Sequence, residues 1–203
     1  MDRFLVDDRE YKNMLLRYSD KPFFTAVLMA SRDCFKRHMK DVFILMNRYY
    51  SSFTIVDGDI QKKWEDVILN NDLEIGDELE FNTPIYYDIN GEIKRSCIDQ
   101  NGITFYFEIN HSNEEVLVLF FRANNYTDKN YVEYYSAEMG WQKKIVDQSL
   151  ATKVNRDNLT GFLTRLEKLL DVSIVEYGTS FIPEKYTYKY GIKDDAVLID
   201  LSS

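Results

Sequence analysis

Few residues in this 203-residue chain have the types and spacing that chemistry needs. Glu92-Ile93-Lys94, with Asp77 or Asp88 upstream, has the acid-x-lysine order suited to metal-dependent phosphodiester cleavage. There, carboxylates bind Mg²⁺ and a lysine steadies the developing negative charge. In a chain with 29% charged residues that order also arises freely, and so acidic a protein repels a phosphate backbone. Asp57-Gly58-Asp59 offers two carboxylates for a cation, which is equally ordinary turn-and-cap chemistry. Asp88-Ile89-Asn90-Gly91 does not make a calcium loop: aligning Gly91 with the loop glycine puts Tyr86 and Cys97 where ligands belong. His38 stands among Arg37 and Lys40 on a helix surface, and His111 lies in a turn. There is no glycine-rich phosphate loop, zinc-spaced cysteine pair, zinc-protease helix or nucleophile elbow. The expectation is a protein without catalytic residues, metal or cofactor.

Charge says more than any motif. The 25 Lys+Arg and 34 Asp+Glu leave a net of −9, unevenly spread. Residues 1–53 carry ten bases and seven acids, while the remainder carries 15 against 27. From Asp57 to Glu80 there are nine acids and only Lys62 and Lys63 to answer them. Binding to nucleic acid needs a cationic surface, so direct contact with phosphate backbones is not expected. A basic protein partner is.

The elements that must position these residues come from periodicity. Ile103, Phe105, Phe107 and Ile109 alternate with polar neighbours, Asn110 to Asn113 turns the chain, and Val116 to Phe121 is unbroken apolar. That is a hairpin whose second strand is covered on both faces, hence central. Asn90-Gly91 predicts a tighter hairpin just before it, and residues 78–122 read as an antiparallel meander. Helical spacing is expected over Asp7–Tyr18, over Pro22–Tyr50 as one bent helix or two, and from Asp59 through Ile68. Trp141–Leu150 reads as weakly helical, and Asn155–Leu170 as the strongest helix, with Leu163 on its apolar stripe. Val172–Tyr177, Tyr186–Tyr190 and Ala196–Leu201 read as strands. The fold class is therefore α+β: N-terminal helices on a central antiparallel meander, a further amphipathic helix and closing strands, in one domain over 1–203. No apolar run is long enough to span a membrane, and the first residues lack a signal-peptide pattern. With lone Cys34 and Cys97, a cytoplasmic location with reduced thiols is expected.

Acids in a rim steer a basic partner, and aromatics supply contact area. The candidate partner-binding set is therefore Glu65, Asp66, Asp72, Glu74, Asp77 and Glu78, with Trp64, Tyr49 and Tyr50 beside them and Tyr86 and Tyr87 near. In size, acidity, aromatic content and lack of catalytic residues the chain resembles small acidic phage-encoded proteins that disable a host nucleic-acid-binding protein. Those that bind the sigma factor of RNA polymerase are the nearest in character. The resemblance implies a cytoplasmic inhibitor that binds a basic, DNA-contacting helical domain. Two other readings fit the same sequence: an immunity protein neutralising a basic nuclease toxin, and a metal-dependent nuclease.

Overall fold

The computed structural model describes residues 23–57, 60–70, 72–89, 91–95, 99–136, 139–180 and 182–197. The expected helix over Asp7–Tyr18 lies outside them, as do Gly58, Asp59, Asn90, Cys97 and the end of the last expected strand. In chain order the elements are β1 (Phe23–Leu28), α1 (Arg32–Tyr49), β2 (Thr54–Asp57), β3 (Ile60–Lys62), α2 (Trp64–Asn70) and β4 (Glu78–Thr83). Next come β5 (Tyr86–Ile89), β6 (Glu92–Arg95), β7 (Asp99–Ile109) and β8 (Glu115–Arg122). A 3-10 turn (Ala123–Tyr126) leads to β9 (Lys129–Ser136), β10 (Gly140–Asp147) and α3 (Ser149–Leu170). The chain closes with β11 (Ile174–Thr179), a second 3-10 turn (Glu184–Tyr186), β12 (Thr187–Tyr188) and β13 (Gly191–Ile192). Helices and a large antiparallel sheet make the protein α+β.

Seven strands form the main sheet in the order β11-β1-β8-β7-β4-β2-β3, with every neighbouring pair antiparallel. Register stacks the core in rows. Ile55, Phe81, Ile103, Phe121 and Phe24 lie side by side across five strands, and Leu79, Phe105, Leu119 and Ala26 make the next row. All nine are buried, and each large side chain so enclosed contributes about 1.5–3 kcal/mol. The expected central hairpin is β7–β8, its loop built on Asn110, whose Oδ1 accepts from the Ser112 and Glu114 amides at 2.9 Å. On β8 Leu117, Leu119 and Phe121 of one face and Val116 and Val118 of the other are buried, while Phe120 is half-buried.

Two helices cover this face. α1 is a single helix beginning at Arg32, because Ser31 caps it: its hydroxyl accepts from the Cys34 amide at 3.2 Å. Glu115 of β8 closes the same end, accepting from the Arg32 amide at 2.9 Å and the Arg32 guanidinium at 2.8 Å. Phe35 of α1 then meets Phe105 and Phe107, and Phe43 meets Phe81, at ring separations of 5.1–5.9 Å. On α3, Leu159, Phe162, Leu163 and Leu166 are fully buried. The two helices approach closely at Gly161, where a Cβ would stand 2.6 Å from the Tyr49 ring. A glycine that weakens an isolated helix here makes room for a tyrosine.

Several expectations are corrected. Phe23–Leu28 is a strand, not the start of a helix: alternate residues Phe24, Ala26 and Leu28 are buried between β8 and β11. The expected packing of N-terminal helices on a meander is not confirmed: α1 follows a strand of the sheet interior, and the helix expected over Asp7–Tyr18 lies outside the described residues. Residues 78–122 are no simple meander either. β4 pairs directly with β7, and β5–β6 leaves as a separate two-stranded ribbon. Ile60–Lys62 pairs with β2 as an edge strand, so α2 starts only at Trp64. Trp141 to Asp147 is strand, matched residue for residue with β9, and α3 starts at Ser149 rather than Asn155. No described helix is long and apolar enough to cross a membrane.

Candidate interaction surface

The acidic stretch is built outward from one aromatic anchor. The Trp64 ring stands edge-on to Phe43 at 6.4 Å, and Val67 and Ile68 join it against the core, which fixes the short helix α2 on α1. The remaining side of α2 and the segment after it then face solvent. Glu65, Asp66, Asp72, Glu74, Asp77 and Glu78 are all exposed. Between Trp64 and Glu80 the chain has seven acids and no base. Among the described residues the nearest ion pair in sequence, Lys62 to Asp57 at 2.7 Å, lies before that stretch. Exposed aliphatics share the region: Leu69 is 80% exposed, Ile60 65% and Ile75 39%. One of the acids has an internal task. Asp77 Oδ2 accepts from the Glu74 amide at 2.7 Å in a turn whose Gly76, at φ +91°, donates to the Phe107 carbonyl at 2.8 Å.

The aromatic members of the candidate set point the other way. Tyr50 is 3% exposed and its ring lies 5.7 Å from Phe162. Burial pushes its phenol pKa well up, and the neighbouring Tyr126 and Tyr49 add to the shift. Tyr49 is half-buried against Phe162 at 6.4 Å, and its hydroxyl accepts from Arg165 Nε at 2.8 Å. Tyr87 is buried and Tyr86 half-buried. The rings of Tyr50 and Trp64 serve the core, while all six acids are exposed. Contact area beside them is aliphatic.

No family model matches the chain, and no curated protein or solved structure matches it either. The reading of function therefore rests on the chain's own geometry.

A second polar centre lies between the 3-10 turn at Ala123–Tyr126 and the start of α3, where the sequence shows only a polar loop over Ala123–Asn130. Asn124, Asn125, Thr127 and Asp128 are buried there, facing Gln148, Thr152, Asn155 and Arg156 of the α3 end. Asp128 Oδ1 accepts from Thr152 Oγ1 at 2.5 Å and from Arg156 at 2.7 Å, and its Oδ2 accepts from the Asp195 amide at 2.6 Å. Two side-chain amides, Asn155 on α3 and Gln148 at its N-cap, hold the edge of β5. Asn155 accepts from the Tyr86 amide at 2.9 Å and donates to the Tyr86 carbonyl at 2.7 Å. Gln148 does the same to Asp88, at 2.8 and 3.0 Å. These side chains take the place of a neighbouring strand. The only hint in the sequence was a run of hydrogen-bonding residues, Asn-Asn-Tyr-Thr-Asp, next to an unbroken apolar strand.

The acid-x-lysine residues are not gathered. Asp77 belongs to the turn before β4, Glu92 and Lys94 to the β5–β6 ribbon, and Asp88 Oδ1 accepts from the Gly91 amide at 2.7 Å. Among the described residues no three His, Cys, Asp or Glu side chains come together as metal ligands would.

Proposed function

We propose that the chain is a non-catalytic binding protein whose acidic side, formed by α2 and the segment leading into β4, holds a basic protein. A DNA-contacting helical domain of a host transcription factor, such as a sigma factor, is the partner the resemblance favours. The observation that carries this reading is seven acids in the seventeen residues Trp64–Glu80, with no base among them, six of them exposed and the exposed aliphatics Leu69 and Ile75 between. Unanswered exposed carboxylates accelerate encounter with a cationic partner, and the exposed Leu69, Ile60 and Ile75 supply area that water leaves on contact.

The test is surface plasmon resonance of the immobilised chain against a purified sigma-factor DNA-binding domain and, separately, a basic nuclease domain. The Glu65→Lys, Asp72→Lys, Glu74→Lys triple variant should associate at least about tenfold more slowly at low salt, with the difference shrinking as salt rises. Binding to neither probe, or equal association rates for variant and wild type at low salt, overturns the reading.

A further inference from the structure

We propose that the C-terminal end of α1 is a binding site for a small molecule bearing a chain of phosphates, a ligand separate from the basic partner above. The local structure gathers three arginines from three elements. Arg48 lies in the last turn of α1, with its Cζ 6.0 Å from the centre of the Tyr49 ring. Arg165 of α3 donates from Nε to the Tyr49 hydroxyl at 2.8 Å. Gly161 makes that meeting possible, because a Cβ there would strike the ring. Past Tyr50 the chain turns at Ser52, φ +68°, whose amide donates to Asn47 Oδ1 at 3.2 Å. The turn offers Ser51 to Arg95 of β6, which donates to the Ser51 carbonyl and, at 2.6 Å, to its hydroxyl.

All three arginines are exposed, and none pairs with a carboxylate among the described residues. Elsewhere arginines are answered: Arg32 by Glu115, and Arg156 by Asp128 and Asp194. The dipole of α1 favours cations at its end, which accounts for Arg48 and Arg95. It does not account for Arg165, inside α3, where a neutral donor would hold Tyr49 as well. The nearest exposed acids along the same elements, Asp41, Glu92 and Asp171, lie roughly 9–11 Å away by helix and strand rise, beyond the Debye length at physiological salt. The patch is therefore locally positive in a chain of net −9.

Three guanidinium charges select the ligand. Their forks grip phosphate oxygens in pairs, and the Tyr49 hydroxyl, which accepts from Arg165, keeps its own proton to donate. One phosphate group carries about −1.5 to −2 and answers two arginines at most, whereas a linked chain of phosphates answers all three. An acidic peptide would have to immobilise three separate side chains to do the same, each at an entropic cost.

Calorimetric titration of the full chain with inorganic triphosphate at about 0.15 M salt should show one site per chain. Orthophosphate and a triglutamate peptide should bind at least about tenfold more weakly. Adenosine triphosphate should bind at least as tightly as inorganic triphosphate: tighter binding identifies a nucleotide as the source of the phosphates, and equal binding a free polyphosphate. Arg48→Gln removes no hydrogen bond from the fold and should weaken triphosphate at least about fivefold. The Arg95→Gln, Arg165→Gln double variant should weaken it further, with thermal melts reading any loss of the Ser51 and Tyr49 contacts. Lys153→Gln, which removes an exposed cation elsewhere on α3, should leave binding unchanged. The inference is overturned if triphosphate gives no binding heat, if Arg48→Gln binds it as wild type does, or if Lys153→Gln and Arg48→Gln lose equally. Tighter binding of the triglutamate peptide, or of a single-stranded oligonucleotide, than of triphosphate also overturns it. None of these variants touches the acidic side, so failure here and failure of the basic-partner function are read separately.

Discussion

The α2–β4 segment and the buried centre at the start of α3 are both crowded with polar residues, and they treat them in opposite ways. Asp128 is almost wholly enclosed and each of its oxygens is used: Thr152, Arg156 and the Asp195 amide are all within 2.7 Å. Asp72 and Glu74, by contrast, are exposed and their carboxylates enter no hydrogen bond or ion pair among the described residues. An enclosed charge must find its partners inside the chain, because leaving it unpaired costs several kcal/mol. An exposed one need not. Answered charges therefore hold this fold together, and unanswered ones are available to something else.

The largest effect expected from this contrast is at Asp128. Asp128→Ala leaves Arg156 enclosed with only the Tyr126 carbonyl and the solvent-exposed Asp194 as partners. Arg156 Nε already has none. Breaking such a pair from one side costs about 3–5 kcal/mol. Urea denaturation should show a loss of that size, and a midpoint equal to wild type would mean that the centre is not structural.

A smaller, pH-dependent effect is expected at Glu167, which ties the far end of α3 to the closing segment. Its carboxylate accepts from the Ile174 amide at 2.6 Å, the Tyr190 hydroxyl at 2.7 Å and Lys189 at 2.7 Å. Burial raises its pKa, but the bonds from Lys189, Ile174 and Tyr190 outweigh burial, and the net shift is downward. Glu115 is lowered too, chiefly by its bonds from Arg32. A lowered pKa means that the folded state favours the ionised form. The stabilisation is complete above the ordinary glutamate pKa of 4.5 and is lost as pH falls through the folded value. Calorimetric melts from about pH 6 down to about pH 3 should fall more steeply for wild type than for Glu167→Gln, which has no charge to lose. Parallel curves would assign acid lability to other carboxylates.

What the sequence makes legible follows from how local each signal is. The β7–β8 hairpin was readable because alternation, a turn of small polar residues and an apolar run follow one another directly. α3 was readable from Leu159, Phe162, Leu163 and Leu166, which need only the helix period. The strand β1 was not, because Phe-Phe-Thr-Ala-Val-Leu runs almost straight into Ser31 and α1, and its alternation shows only once β8 and β11 flank it. Nor was β10: Trp-Gln-Lys-Lys-Ile-Val has no clean period, and pairing with β9 decides its state. The buried centre joins residues 24 to 69 positions apart, so nothing short of the fold could show that Asn155 would complete the edge of β5. For the acidic side the sequence supplied the exposure of the acids but not the direction of the rings. Tyr50 follows α1 directly and falls on the side that faces Phe162.

The finest test of the contrast lies within the acidic segment itself, between Asp77 and its neighbours. Asp72, Glu74 and Asp77 look alike in sequence and all three are exposed. Only Asp77 accepts a hydrogen bond, from the Glu74 amide, in the turn whose Gly76 amide and Asp77 carbonyl both bond the Phe107 backbone of β7. A hydrogen bond from an amide to a charged acceptor at an exposed turn is worth about 0.5–1.5 kcal/mol, so Asp77→Ala should lower stability by that much. Asp72→Ala and Glu74→Ala have no bond to lose and should stay within about 0.5 kcal/mol of wild type. Because removing an acid from a chain of net −9 relieves repulsion, the small change at Asp72 should be towards greater stability at low salt and vanish at high salt, while at Glu74 the lost attraction to Arg32 offsets that gain. Chemical denaturation of the three single variants at two salt concentrations distinguishes these outcomes. Equal losses at all three positions would mean that Asp72 and Glu74 hold partners within the chain, and would remove the premise that they are kept for an external one.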